Sequence, residues 1–330
     1  MPVVRAPGRV NLIGDHTDYT GGLVLPMAID RWTVIDVEPH DRLALRSDDE
    51  PDAVDLGLDI DDPSSIEPHW GRYVAGVVAE MRPRVGIRGT VRTDIPIGAG
   101  LSSSAALEVA TAIALGHHGP PLELAQLCRR AEIRASGVPC GIMDQLCVAA
   151  GVRGHALLID CGESTVEPVP VPDGVDVVVR FIAHRTLVGS PYADRVAECA
   201  AAEREIGPLR LADVRAAASI ADPVVRARAA HVVSENQRVR DAVAALAAGD
   251  LRAVGELMHA SHISLRDQYA TSTPVMDAAV DQLMATPGVF GARMTGGGFG
   301  GCVVALAEPG TLRDGWVVRA VEGAHQVVEG

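Results

Sequence analysis

Apolar residues follow two different periods along this chain. Between Arg31–Val37, Arg42–Arg46 and Ile87–Arg92 they alternate or cluster with β-branched partners, which predicts strands. Trp70–Met81, Ser102–Gly116 and Leu122–Ala135 repeat at helical spacing, the last ending at Gly137-Val138-Pro139. Asp48–Pro68 is acidic and carries three prolines, so it is expected to be an exposed loop. From Val166 the texture changes. Prolines at 168, 170 and 172 punctuate the chain, and Val175–Ile182 then predicts a buried strand. Ala-, Arg- and Glu-rich helices are expected at Tyr192–Ile206, Pro223–Ala248 and Asp250–Tyr269. A strand, a glycine-rich turn and a second strand are expected across Val289–Ala307. Both parts mix helix and strand without regular β-α-β alternation, so the expected class is α+β. Two domains are expected, 1–163 and 164–330, with the last twenty or so residues packing back on the first (about 20, a domain-scale estimate).

Composition narrows the function classes. The chain has 330 residues, 48% of them apolar but only 3% aromatic, so its core must be packed through small aliphatic side chains. The formal net charge of −14 argues against a nucleic-acid footprint or an anionic membrane surface as partner. Met1–Gly8 lacks the apolar run of a secretion signal, and no eighteen-residue apolar stretch occurs, so a soluble, cytoplasmic protein is expected. Six dispersed cysteines form no C-x-x-C pair, which favours reduced thiols over structural zinc or disulfides.

Three segments carry candidate chemistry, each with a bland alternative. In Pro96–Ala106, glycines allow close backbone approach and consecutive serines open a helix, which together make an anion cradle. It is not a Walker A loop, because it has no Gly-Lys-Ser/Thr and no lysine to reach a phosphate. An ordinary glycine turn with a serine N-cap reads equally well. Arg5–Gly22 clusters Asp15, His16, Thr17 and Asp18 between glycines, a set suited to a polyhydroxylated ligand, or to a solvated turn. Arg293–Cys302 holds five glycines in six positions, either beside a ligand or in a structural hairpin.

Taken together these segments resemble one family. Arg5–Ala28, as in GRVNLIGDHTDYTGGLVLPMA, is similar to the galactokinase signature. PIGAGLSSSAALEVA at Pro96–Ala110 and MTGGGFGGCVVAL at Met294–Leu306 resemble motifs of the wider superfamily of galacto-, homoserine, mevalonate and phosphomevalonate (GHMP) kinases. PCGIMDQ at Pro139–Gln145 and RTLVGSPYADRVAEC at Arg185–Cys199 look like galactokinase segments, and with GDHTDY they disfavour a mevalonate-type enzyme. The resemblance implies a two-domain GHMP kinase fold: an N-terminal domain like domain 2 of ribosomal protein S5, an α+β C-terminal domain, and the active site in the cleft between them. It implies ATP-dependent phosphorylation of galactose at its anomeric hydroxyl.

Carried over residue by residue, it implies that Asp144 is the base and Arg9 its electrostatic partner. Asp15, His16, Thr17, Asp18, Gly141 and Tyr192 would meet the sugar. Gly98, Ala99, Gly100, Leu101, Ser102, Ser103 and Ser104 would carry the ATP phosphates, with Ser47 and Trp70 bordering the adenine. Ser104 and Glu132 would hold Mg2+. A monomer acting on small molecules is expected. Each residue has a structural alternative: a helix-end carboxylate for Asp144, an exposed helical glutamate for Glu132, a core tyrosine for Tyr192.

Two departures from the family pattern qualify these expectations. Asp15 stands where the family usually has glutamate, and one methylene fewer retracts the carboxylate by on the order of 1.5 Å. That keeps open a kinase for a related sugar, such as N-acetylgalactosamine, galacturonate or arabinose. A non-catalytic galactose- and ATP-binding regulator is the less favoured alternative, since it has no use for a base and a metal site together. The chain also carries little before Arg5 or after Leu306, which bears on surface packing rather than chemistry.

Overall fold

The computed structural model describes residues 3–184 and 190–327. Arg185–Gly189, the start of one segment that resembles galactokinases, lie outside the described residues. In chain order the elements are β1 (Val3–Asn11), β2 (Leu23–Val24), β3 (Pro26–His40), β4 (Leu43–Ser47), β5 (Val54–Leu56), α1 (Gly71–Met81), β6 (Gly86–Thr93) and α2 (Ser103–Ala114). Then come α3 (Pro121–Ser136), α4 (Met143–Ala150), β7 (His155–Asp160), β8 (Thr165–Pro170), β9 (Asp176–Ala183), α5 (Tyr192–Ile206), α6 (Val214–Ser219) and α7 (Pro223–Ala247). The remainder is α8 (Leu251–Asp267), α9 (Pro274–Met284), β10 (Val289–Thr295), β11 (Gly301–Ala307), β12 (Trp316–Val318) and β13 (His325–Val327).

A six-stranded sheet, β13-β1-β3-β6-β4-β5, is antiparallel except for the β4–β6 pair. A second, antiparallel sheet runs β10-β11-β9-β12, and a small third sheet runs β2-β7-β8. The 163/164 junction expected from the sequence lies in the turn between β7 and β8. Val3–Arg5 of β1 pair with His325–Val327, so the last described strand lies on the edge of the first sheet.

Small residues set the packing distances, as a core poor in aromatics requires. On α8, a Cβ added at Gly255 would fall 2.0 Å from the Phe290 carbonyl oxygen, so this helix lies directly against β10. The largest apolar cluster joins Val4, Ile35 and Leu45 of the first sheet to Val177 and Val304 of the second. That shared core fixes the two sheets, and the loops at their edges, relative to one another.

The pattern reading departs from this fold in identifiable ways. Val3–Asn11, to which the pattern assigns no element, is a strand; the β1–β3 register shifts between Pro7 and Gly8, which absorbs the missing donor in a bulge. Asp48–Pro68 is not wholly loop, because Val54–Leu56 form the edge strand β5 and Pro63–Ser65 a 3-10 turn. The prolines at 168 and 170 sit in β8, an edge strand, where a missing amide donor is tolerated.

Candidate active site

β1 ends beside the serine-rich loop. The Arg9 amide donates to the Leu101 carbonyl at 3.1 Å, and the Arg9 side chain, 2% exposed, donates to the Gly100 carbonyl at 2.6 Å. The other edge of that guanidinium grips Asp144 through Nε at 2.9 Å and Nη2 at 2.7 Å, a bidentate pair. Asp144 lies in the first turn of α4, where the helix dipole favours an anion. Ser102 completes the arrangement by donating to Asp144 at 2.7 Å. Ser102 therefore does not cap α2 with its side chain, as an ordinary N-cap serine would; it spends its hydroxyl on the carboxylate. Burial alone would lower the Arg9 value, but Asp144 and then Asp15 overcome it and hold it above its usual range.

These groups line a cleft with about 440 Å³ of space. One end carries Gly98, Gly100 and Ser102–Ser104 at the N-terminus of α2, together with Ser47 and Trp70. The Trp70 indole N–H is taken by the Asp52 carbonyl at 3.0 Å, so its ring, not its donor, borders the space. Ala99 and Leu101 do not reach the cleft: both side chains are in the core, and the Ala99 amide donates to Pro96.

The other end carries Asp15, His16, Asp18, Gly141 and Tyr192. Asp18 lies hard against Gly141, where an added Cβ would be 1.9 Å from its Oδ2. Burial, then the Asp144 charge, pushes the Asp18 carboxyl up to about 7. His16 Nδ1 is 3.0 Å from the Tyr19 hydroxyl, which is 2.5 Å from that of Tyr269. Tyr192 packs its ring 5.6 Å from that of His16. Thr17 is a correction to the expected sugar contacts. It is fully buried, and its hydroxyl is shared between the Gly14 and Leu23 carbonyls, so it braces the loop from inside.

Asp15 is also more occupied than the sequence suggests. Its Oδ1 accepts from the Gly296 amide at 3.0 Å, and its Oδ2 is 2.6 Å from Nη2 of the fully buried Arg293. Only 1% of Asp15 is exposed. Burial raises its value, with Arg293 opposing. The glycine-rich third segment thus meets the first through Asp15.

Near Asp144, Ser104 donates to Glu132 at 3.0 Å. Gln145, next to Asp144 in sequence, donates to Glu132 and, at 3.2 Å, to the fully buried Glu108. Burial, then Asp144, pushes Glu132 up to about 7, and burial followed by Glu132 raises Glu108 well above the carboxylate range. Gln145, Glu108 and Arg293 lie inside the recognised segments, yet side-chain type alone gives them no role.

Six non-glycine residues among those described adopt left-handed backbone, and three sit one per segment: His16, Ser102 and Phe299. Such conformations cost on the order of 1 kcal/mol or more each and persist where surrounding structure enforces them.

Profiles of the galactokinase galactose-binding signature, the GHMP kinase N-terminal domain and the GHMP kinase C-terminal domain match residues 2–39, 72–152 and 242–314. A galactokinase from Bos taurus is 42% identical, the match covering 92% of this chain and 83% of that protein. The chain belongs to the galactokinase family. A galactokinase from Chloroflexus aurantiacus is 43% identical over 97% of the chain and 87% of its own length. The structure of Lactococcus lactis galactokinase complexed with galactose superimposes with a TM-score of 0.92 at 30% identity, covering 99% of this chain and 95% of that one. A mevalonate kinase from Methanococcus jannaschii shares the fold, with a TM-score of 0.68 at 21% identity over 93% of this chain and 90% of that one. Family membership makes the chain a kinase, and Gly98–Ser104 and the Asp15–Asp18 loop lie along one cleft.

Proposed function

We propose that this chain transfers the terminal phosphoryl group of ATP to the anomeric hydroxyl of galactose, giving galactose 1-phosphate and ADP. One observation carries the reading: Asp144 is held by Arg9 and Ser102 at the meeting point of the serine-rich loop and the Asp15–Asp18 loop. Its side chain is 29% exposed, so a substrate hydroxyl can reach a carboxylate whose orientation is already fixed.

In this reading Asp144 accepts the hydroxyl proton as the sugar oxygen bonds to the terminal phosphorus. The bond from that phosphorus to the bridging oxygen breaks, and ADP leaves with the electron pair. Arg9 balances charge between base and phosphoryl group, while the first-turn amides of α2 face the phosphates. His16, Asp18 and Tyr192 orient the sugar.

The residues present fit Mg2+. Ser104 and Glu132 offer hard oxygen donors 3.0 Å apart, and Glu132 sits among carboxylates whose mutual repulsion a cation relieves. Bound there, Mg2+ neutralises phosphate charge. Six cysteines outside any disulfide, four of them buried and two half-buried, suit a reducing cytoplasm. Among the described residues no helix is long and apolar enough to cross a membrane.

A related sugar is the second reading, favoured by the occupied state of Asp15. The test is ADP release with magnesium-ATP across galactose, N-acetylgalactosamine, galacturonate, arabinose, glucose and mevalonate. The proposal predicts the highest kcat/KM for galactose. A higher value for another sugar would replace galactose, and none above background would remove the activity.

A further inference from the structure

The loop that carries Asp15, His16 and Asp18 follows β1, yet its backbone is held from the other half of the chain. Three side chains on neighbouring turns of α7 reach it. Glu235 accepts from the Gly14 amide at 2.9 Å, and Asn236 accepts from the Leu23 amide at 2.7 Å. His231 Nε2 lies 3.2 Å from the Asp15 carbonyl. A carbonyl can only accept, so His231 donates through Nε2; its Nδ1 lies 2.8 Å from the Ser264 hydroxyl, which donates to Gln268 Oε1 at 2.8 Å. Burial lowers His231 to about 4, so the ring is neutral and carries the single proton this assignment requires.

Glu235 is the expensive member of the set. It is fully buried and makes no contact with the cleft, yet it keeps its charge: despite burial, Arg238 leads the neighbours that lower it to about 2. Its other partners are Ser261 and Arg238, the latter at 2.6 Å. A buried ion pair adds little net stability compared with apolar packing. What this one supplies is a strong, directional acceptor for an amide at Gly14, which has φ +99° and no room for a side chain.

We infer that the His231-Glu235-Asn236 face of α7 is a clamp that sets the position of the sugar loop, making Glu235 a positioning residue for sugar affinity. This rests on the sugar reading above. The clamp bonds lie at the two ends of the loop and beside its first pocket residue. Thr17 braces the same ends from within, so α7 fixes where the braced unit sits rather than whether it forms. No hydrogen bond of these three side chains goes to the serine-rich loop, so the effect should be confined to one substrate.

The test is Glu235→Gln, which keeps shape but replaces a charged acceptor by a carboxamide. The expected result is a rise in sugar KM of about tenfold or more, with ATP KM unchanged within about twofold. Amide hydrogen exchange at Gly14–Leu23 should quicken while exchange in Gly98–Ser104 stays as in the parent protein. Sugar and ATP constants rising together, or neither moving, would overturn the inference. Should Glu235→Gln fail to fold, Asn236→Ala removes the acceptor at Leu23, together with a donor to the Val232 carbonyl of its own helix, and is read against the same criteria. If the parent protein phosphorylates no sugar, the functional reading fails on its own. Hydrogen exchange, which needs no substrate, still decides the clamp: unchanged exchange at Gly14–Leu23 refutes it.

Discussion

Asp144→Asn separates chemistry from structure, because the geometry says what each oxygen does. The carboxylate receives three bonds: Arg9 Nε at 2.9 Å, Arg9 Nη2 at 2.7 Å and Ser102 at 2.7 Å. Asparagine offers one acceptor oxygen and one donor group, so at least one Arg9 or Ser102 donor must face another donor. The lost and mismatched bonds should cost about 1–3 kcal/mol of stability, lowering Tm by roughly 1–4 °C. Losing a positioned base removes a factor of about 10²–10⁴ in kcat. The assay measures ADP release at saturating sugar and magnesium-ATP, alongside calorimetric ATP binding and a thermal melt. Expected are a folded protein, ATP affinity close to the parent's, and a kcat lower by on the order of 10³. A folded variant within about tenfold of the parent's kcat would refute Asp144 as the proton acceptor.

Three further outcomes follow from the cleft. Gly141→Ala places a methyl carbon 1.9 Å from Asp18 Oδ2, so the carboxylate must move; sugar KM should rise by about tenfold with ATP KM unchanged. Asp15→Glu lengthens a carboxylate already closed against Arg293 and Gly296, and should change relative kcat/KM across the sugar panel; an identical profile would show that position 15 does not read the substrate. Asp18 and Glu132 are raised from 3.8 and 4.5 to about 7, so the folded chain holds protons that the unfolded chain releases. Their contribution to stability is complete at acid pH and is lost as pH rises through 7. The ligand-free protein should therefore melt lower at pH 8 than at about pH 6, and a rising Tm over that range would contradict the assignment.

The parts legible in the sequence are those where local pattern and tertiary outcome agree. Tyr192–Ile206 forms over the residues its periodicity marks, and Gly137 ends α3 in left-handed backbone, as a C-terminal glycine should. The cleft residues were reachable through the family resemblance, because each glycine or serine segment read on its own left a bland alternative open. What stayed hidden depends on where other segments arrive. Ser102 reads as a helix cap, and only the position of Asp144 shows that its hydroxyl is spent elsewhere. Thr17 looks like a sugar contact by composition, but the return of Leu23 to Gly14 takes its hydroxyl inside the loop. Likewise Glu235 sits in a helix rich in charged residues, where one more glutamate carries no signal until Gly14 is brought to it.

That last case bears on how the site is built. The sugar end is anchored by Arg293 and Gly296 at the β10 turn and by the polar face of α7, both late in the chain. The phosphate end is anchored to Arg9 and α4, both early. Arg9 is the hinge between these arrangements, because its strand runs directly into the sugar loop while its guanidinium holds the base. In the proposed reading, a change in how the late elements seat against β1 would move the sugar relative to Asp144 without disturbing the bonds between Asp144, Arg9 and Ser102. Substrate preference in that reading depends on how α7 and β10 seat the Asp15–Asp18 loop, and Asp15, which lines the cleft while held by Arg293 and Gly296, is the position where Asp15→Glu tests it.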